Sequence, residues 1–152
     1  MAKKFFISGT RELKWKNKER LYRVFAMAKK TDQTLELDDT QANHNEFIAK
    51  LQNAYAVILV SLGDISPNLI LDAIRAGKPF VLTEENGLRD RIGDLALYCD
   101  PQNEEDIAHK ILELSKPDIH QRQVDKIRNF SFRHNWTEIA SEFLVLASNS
   151  KI

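Results

Sequence analysis

The 152-residue sequence predicts an α/β fold, an open parallel sheet of about five strands with helices on both faces. Two observations predict it. Short apolar runs alternate with segments whose apolar residues recur at helical spacing, which is how strand-helix-strand units read in a sheet buried on both sides. The intervening helices also carry their own start and stop residues, so each segment ends where the next begins. With 43% hydrophobic residues the chain can bury one core and is too short for two ordinary domains. Residues 1–152 are therefore read as a single domain, with C-terminal helices over 118–150 packing back on it.

The first strand is Lys4–Ser8, followed by a helix with Leu21, Val24, Phe25 and Ala28 on one face. Thr34–Leu37 is the second strand, and Phe47, Leu51 and Ala54 mark the next helix. The third strand, Val57–Ser61, runs towards a helix that opens at Ser66-Pro67-Asn68. Serine at the N-cap accepts from a free backbone N–H, and proline at the first helical position has none to leave unpaired. Ala76-Gly77-Lys78-Pro79 stops that helix, because glycine suits the left-handed residue after a helix end and proline cannot continue it. Phe80–Thr83 and Leu95–Tyr98 complete the strands. Asn103-Glu104-Glu105-Asp106 places acid at the start of a helix carrying Ile107, Ile111 and Leu114, and Lys116-Pro117 ends it. A helix from Asp118, a break near Phe130–Asn135 and a last helix from Trp136, with Ile139, Phe143 and Leu146 inward, finish the chain.

Lysine plus arginine equals aspartate plus glutamate at 22 each, so bulk charge favours neither nucleic acid nor an acidic membrane. A single cysteine, Cys99, excludes an internal disulfide framework and a multi-cysteine metal site, and fits a reducing cytoplasm. The opening MAKKFFIS is too short in apolar residues for a signal peptide, and no run approaches the ~18 apolar residues of a membrane span. The expectation is a soluble, cytoplasmic protein.

Ligands of open parallel sheets bind beyond the carboxyl ends of the strands, the edge that carries the loops at Gly9, Asp38, Leu62, Glu84 and Asp100. Asp64 lies there, and Asp72 follows in the body of the next helix, roughly 9 Å along the axis at about 1.5 Å per residue. Between them the helix mouth offers backbone N–H groups from Asn68 and Leu69 and the positive end of its dipole, an anion site. The first loop, Gly9-Thr10-Arg11-Glu12-Leu13-Lys14-Trp15-Lys16-Asn17, adds the cations Arg11 and Lys16 on the same edge. Arginine grips two phosphate oxygens at once, whereas lysine acts as a point charge. Each piece alone also fits a solvated turn, an exposed helix aspartate or a basic loop. Together, carboxylates for hydroxyls and cations for a diphosphate point to a sugar nucleotide.

Other residues read more plainly. His44 precedes a helix on the ligand edge, in a solvated or capping role or at the nucleotide; His109 and His120 occupy polar helical positions without partners at ligand spacing. His134 reads as a turn residue. Glu36, Asp38 and Asp39 superficially match an acidic metal motif, but no metal is expected. Glu84-Glu85-Asn86-Gly87 is either a plain loop or a backbone approach to ligand, and Cys99 packs.

Asp64-x7-Asp72 followed by Gly77-Lys78-Pro79, the Arg11 and Lys16 pair, the Asp94 to Pro101 stretch and the aromatic turn from Phe130 to Trp136 resemble the C-terminal, donor-binding domain of GT-B glycosyltransferases, specifically the large retaining group called family 4 or group 1. The resemblance covers nearly the whole chain and implies a Rossmann-like sheet. It implies that Arg11 and Lys16 hold the donor diphosphate, that Asp64 binds sugar hydroxyls and Asp72 the ribose, and that Gly9, Thr10, Ser66, Asn68 and Leu69 meet the nucleotide. It further implies a UDP- or GDP-linked sugar as donor, no metal or other cofactor, polysaccharide biosynthesis as the setting, and an N-terminal acceptor domain supplied in cis or in trans. Any membrane contact would be peripheral.

The chain departs from the family at three points. Both glutamates are aspartates, shorter in reach by about 1.5 Å, one carbon-carbon bond. A glycine-rich turn is replaced by Ile65-Ser66-Pro67-Asn68, and only one helix fits between Leu37 and Val57. These departures keep open an alternative: a noncatalytic module that binds nucleotide sugars or a partner.

Overall fold

A computed structural model of the chain describes residues 2–9, 14–64, 67–131 and 136–149; of Lys14, Trp136, Glu138 and Ile139 only the backbone is described. Five parallel strands, β1 (Lys4–Ser8), β2 (Leu35–Asp38), β3 (Ala56–Leu59), β4 (Phe80–Thr83) and β5 (Leu97–Cys99), lie in the order β2-β1-β3-β4-β5. Ile7 pairs with Val57, Ile58 with Val81, and Leu82 with Tyr98. Side chains alternate across the sheet. Ala56, Ile58 and Val60 enter one core with Phe6 and Val81, whereas Val57 and Leu59 enter the other with Phe80 and Leu82. Because both faces are covered, β3 and β4 read as unbroken apolar runs.

On the first face lie α1 (Lys18–Thr31) and α5 (Glu104–Leu114). They bury Leu21, Val24, Phe25 and Ala28, and Ile107, Ile111 and Leu114, the positions that spacing alone selects. On the second face lie α2 (His44–Asn53), α3 (Asn68–Arg75), the short α4 (Arg89–Ile92) and α6 (Pro117–Arg128), which contribute Leu51, Ile70, Ala73, Ile74, Ile92 and Ile127.

Helix ends follow local chemistry. Gly77 adopts φ 69°, its N–H donates to Ile74 O, and the Lys78 N–H reaches back to Ala73 O, so two terminal carbonyls of α3 are satisfied. Asn43 and Glu46 form a reciprocal capping box at the start of α2, and Asn103 accepts from the Asp106 N–H at the start of α5. Lys116-Pro117 both ends α5 and opens α6, with proline in the first turn.

Four expectations shift. Strand β5 begins at Leu97 because Gly93–Leu95 is a 3₁₀ turn, and β3 ends at Leu59. Helix α3 begins at Asn68, with Pro67 as the residue before it; the Pro67 carbonyl accepts from Ile70 N–H at 3.0 Å. Of the break predicted over 130–135, Phe130 and Ser131 are non-helical after α6 ends at Arg128, and residues 132–135 lie outside the described ones. In the last helix, α7 (Trp136–Asn149), two of the residues predicted inward are not: Phe143 is 71% exposed and Leu146 69% exposed, while the Ile139 side chain lies outside the described ones. Leu144 and Val145 between them are exposed as well. Four consecutive apolar residues span most of a helix circumference at 3.6 residues per turn, so no single buried face accommodates them all. Among the described residues no helix is long and apolar enough to cross a membrane.

Candidate functional site

The chain leaves β1 for β2 on one side, then returns through α2 to β3 on the other. The carboxyl ends of β1 and β3 are therefore the point where strand order reverses, where open α/β sheets place their ligands. A cleft of about 380 Å³ opens there. Gly9, Trp15 and Lys16 line it from the first loop, Asp64 from the third, and Pro67, Asn68, Leu69 and Asp72 from the start of α3, with Leu59 and Phe47 completing the wall. The structure thus brings together Lys16, Asp64, Asp72, Gly9, Asn68 and Leu69. Arg11, Thr10 and Ser66 lie outside the described residues. His44, the first residue of α2, is exposed and is not among the residues lining the cleft.

Lys16 Nζ donates to Asp64 Oδ2 at 3.2 Å and lies 4.1 Å from the Trp15 ring centroid, so both its charge and its position are held. One carboxylate occupies only part of an ammonium that carries three donors. Asp72, the fifth residue of α3, lies roughly 6 Å down the helix at about 1.5 Å per residue, and it accepts from the exposed Arg75 guanidinium at 3.4 Å. The N–H groups of Asn68 and Leu69 head α3, where the helix dipole favours negative charge.

Backbone bonds stitch three loops into one rim. Leu62 N–H donates to Trp15 O, Asp64 N–H to Glu85 O, and Gly87 N–H to Asp64 O. Asn86 holds its own loop by donating to Thr83 O and accepting from Leu88 N–H. The Glu84–Gly87 loop therefore supports Asp64, a role that sequence left undecided. Asn17, with left-handed φ of 63°, ties the first loop to β3 and to the loop after β5 by donating to Val60 O and Pro101 O. Nothing in its sequence neighbourhood signals these distant acceptors.

Elsewhere the acidic residues of β2 are taken up separately. Glu36 pairs with Lys3 and Lys29, Asp38 accepts from Thr40 and Lys50, and Asp39 accepts from Tyr22. Among the described residues no three His, Cys, Asp or Glu side chains gather to hold a metal. Cys99 is buried, which pushes its thiol up to about 12. A larger cleft of about 730 Å³ near the start of β5, lined by Leu71, Arg75, Arg91 and Phe130 among others, contains none of the candidate ligand residues.

The amino edge carries a polar cluster of its own. His120 stacks on Tyr55 with ring centroids 3.9 Å apart and bonds through Nε2 to Tyr55 O at 2.8 Å. Tyr55 Oη donates to Leu114 O, and Lys4 donates to Asp32 and to Ser115 O.

The five-stranded open parallel sheet with helices on both faces matches the Rossmann-like fold of one half of a GT-B glycosyltransferase. No protein-family model and no curated sequence matches the chain. Solved structures do. A UDP-forming α,α-trehalose-phosphate synthase from Burkholderia xenovorans superimposes with a TM-score of 0.76 at 12% identity, over 97% of this chain and 45% of that one. A second such synthase, from Burkholderia vietnamiensis, gives 0.70 at 12% identity, over 98% and 46%. TarM gives 0.67 at 17% identity, over 99% and 36%. At these identities the superpositions show a shared fold alone, and the chain spans less than half the length of these structures.

Proposed function

We propose that this chain is the donor-binding half of a sugar-nucleotide glycosyltransferase, transferring a hexosyl group with retention to a glycan or lipid-linked acceptor when paired with an N-terminal acceptor domain. The observation that carries the reading is the convergence of Lys16, Asp64, Asp72 and the mouth of α3 on one cleft at the strand-order reversal. A UDP- or GDP-linked sugar fits the order of groups: Asp64 for the sugar hydroxyls, Lys16 with Arg11 and the α3 mouth for the diphosphate, Asp72 for the ribose. As the bond from the anomeric carbon to the leaving oxygen breaks, its electron pair passes to the diphosphate, and Lys16, held beside Asp64 and Trp15, offsets that charge. The neighbours support a nucleoside diphosphate as the carrier, since the synthases are UDP-forming and a TarM structure holds UDP.

Calorimetric titration with UDP, GDP and their sugar conjugates tests the reading. Lys16→Met should weaken every nucleoside diphosphate, Asp72→Ala nucleotides and nucleosides alike, and Asp64→Ala only the sugar conjugates. Unchanged affinity in Lys16→Met would remove the diphosphate assignment. The presence of α2 alone between β2 and β3 favours a second reading, a noncatalytic nucleotide-sugar-binding module. Release of UDP from a UDP-sugar, measured with an acceptor-domain partner present, separates the two.

A further inference from the structure

We infer that Phe47 is the platform on which a nucleobase stacks, and that the site accepts bases by their faces without selecting among them. This rests on the donor-site reading above. Helix α2 reaches β3 from β2 by passing β1, and α3 leaves β3 for β4, so the two helices flank β3 on the second face, where Leu51 and Ile70 are both buried. Each descends from the carboxyl edge. Phe47 is the fourth residue of α2 and Asp72 the fifth of α3, so both stand roughly 5–6 Å below that edge at about 1.5 Å per residue.

Phe47 is only partly buried and lines the cleft together with Leu59 and Leu69, an apolar wall beside the carboxylate assigned to the ribose. The group one glycosidic bond beyond a ribose is the base, which is flat and has two π-faces. Among the described residues the charged and amide side chains lining the cleft, Lys16, Asp64, Asn68 and Asp72, come from the first loop, the third loop and α3, and none comes from α2. Recognition on the Phe47 side is therefore by stacking, which every base satisfies.

The 152-residue chain and its variants are titrated with UDP, GDP, ADP and inorganic pyrophosphate. Phe47→Leu keeps the apolar contact with the second core and removes the ring. It should weaken all three nucleotides by roughly tenfold or more, on the scale of base-aromatic stacking, and leave pyrophosphate unchanged; Phe47→Trp should hold all three within about threefold of wild type. In wild type the three nucleotides should agree within about tenfold, with purines the tighter. Unchanged nucleotide affinity in Phe47→Leu, an equal loss for pyrophosphate, or much steeper selection of one base overturns the inference. If Lys16→Met weakens UDP while Phe47→Leu does not, only the role of Phe47 falls; if wild type binds no nucleoside diphosphate, both readings fall.

Discussion

The two edges of the sheet use similar residues to opposite ends. At the amino edge, Lys4, Asp32, Tyr55 and His120 are spent on one another and on the carbonyls of Leu114, Ser115 and Tyr55. At the carboxyl edge, Lys16, Asp64 and Asp72 face an open cleft, and the Lys16–Asp64 pair leaves donors and acceptors over. Polar groups whose partners are all internal tie α5 and α6 to the sheet. Groups that keep capacity in hand are available to a ligand.

This contrast predicts opposite responses to mutation, with the amino edge reporting on stability and the carboxyl edge on binding. The largest effect is expected for Tyr55→Ala, which removes an aromatic body packed on the first core and strands the Leu114 carbonyl. Thermal unfolding should show a loss of about 3 kcal/mol, a fall of roughly 6–12 °C in Tm, with nucleotide affinity unchanged below the transition. Equal loss of binding in the folded state would break the contrast.

Next is acid sensitivity through His120. Burial depresses its pKa; the hydrogen bond to Tyr55 opposes the shift, and the Lys78 and Lys4 charges add to it. An unfolded histidine takes up its proton near pH 6.5, ahead of the folded one, so stability is whole above about pH 6.5 and falls as the pH drops below it. His120→Gln should flatten that limb in urea melts at stepped pH.

A further limb belongs to Asp32. Partial burial disfavours its charge, but hydrogen bonds from Thr34 and Lys4 outweigh burial and bring its pKa from 3.8 to about 2. Its contribution is complete above about pH 4 and is lost as pH falls towards 2, so Asp32→Asn should remove the loss in that window. At the carboxyl edge, Lys16→Met breaks a mostly buried ion pair and leaves Asp64 without its cation; it should cost less stability than Tyr55→Ala while weakening diphosphate binding. A larger loss of stability than at Tyr55 would show that the rim holds the fold together.

Legibility in the sequence followed the range of the interactions. Helices α1 and α5 bury the residues their spacing selects because each packs one stripe on a sheet. The glycine stop of α3 was equally readable, since its hydrogen bonds span only Ala73 to Lys78. Helix α7 shows the limit of periodicity: spacing marks Phe143 and Leu146 as one stripe but is silent on whether a surface lies against it. The contact of His120 with Tyr55 is out of reach of local pattern in the same way, the two residues being 65 positions apart. Phe47, readable as core, emerged as a cleft residue only when α2 and α3 were placed on one face.

What the chain determined by itself were its alternating strands and helices, its caps, and the residue types fit to meet phosphate and hydroxyl groups, because these depend on neighbours within a few positions. Tertiary structure alone decided the strand order, and with it the reversal between β1 and β3 that draws Lys16, Asp64 and Asp72 into one cleft. It also decided that the Glu84–Gly87 loop holds Asp64 in place. Those outcomes follow from contacts between segments far apart in sequence, whose partners local propensity does not name.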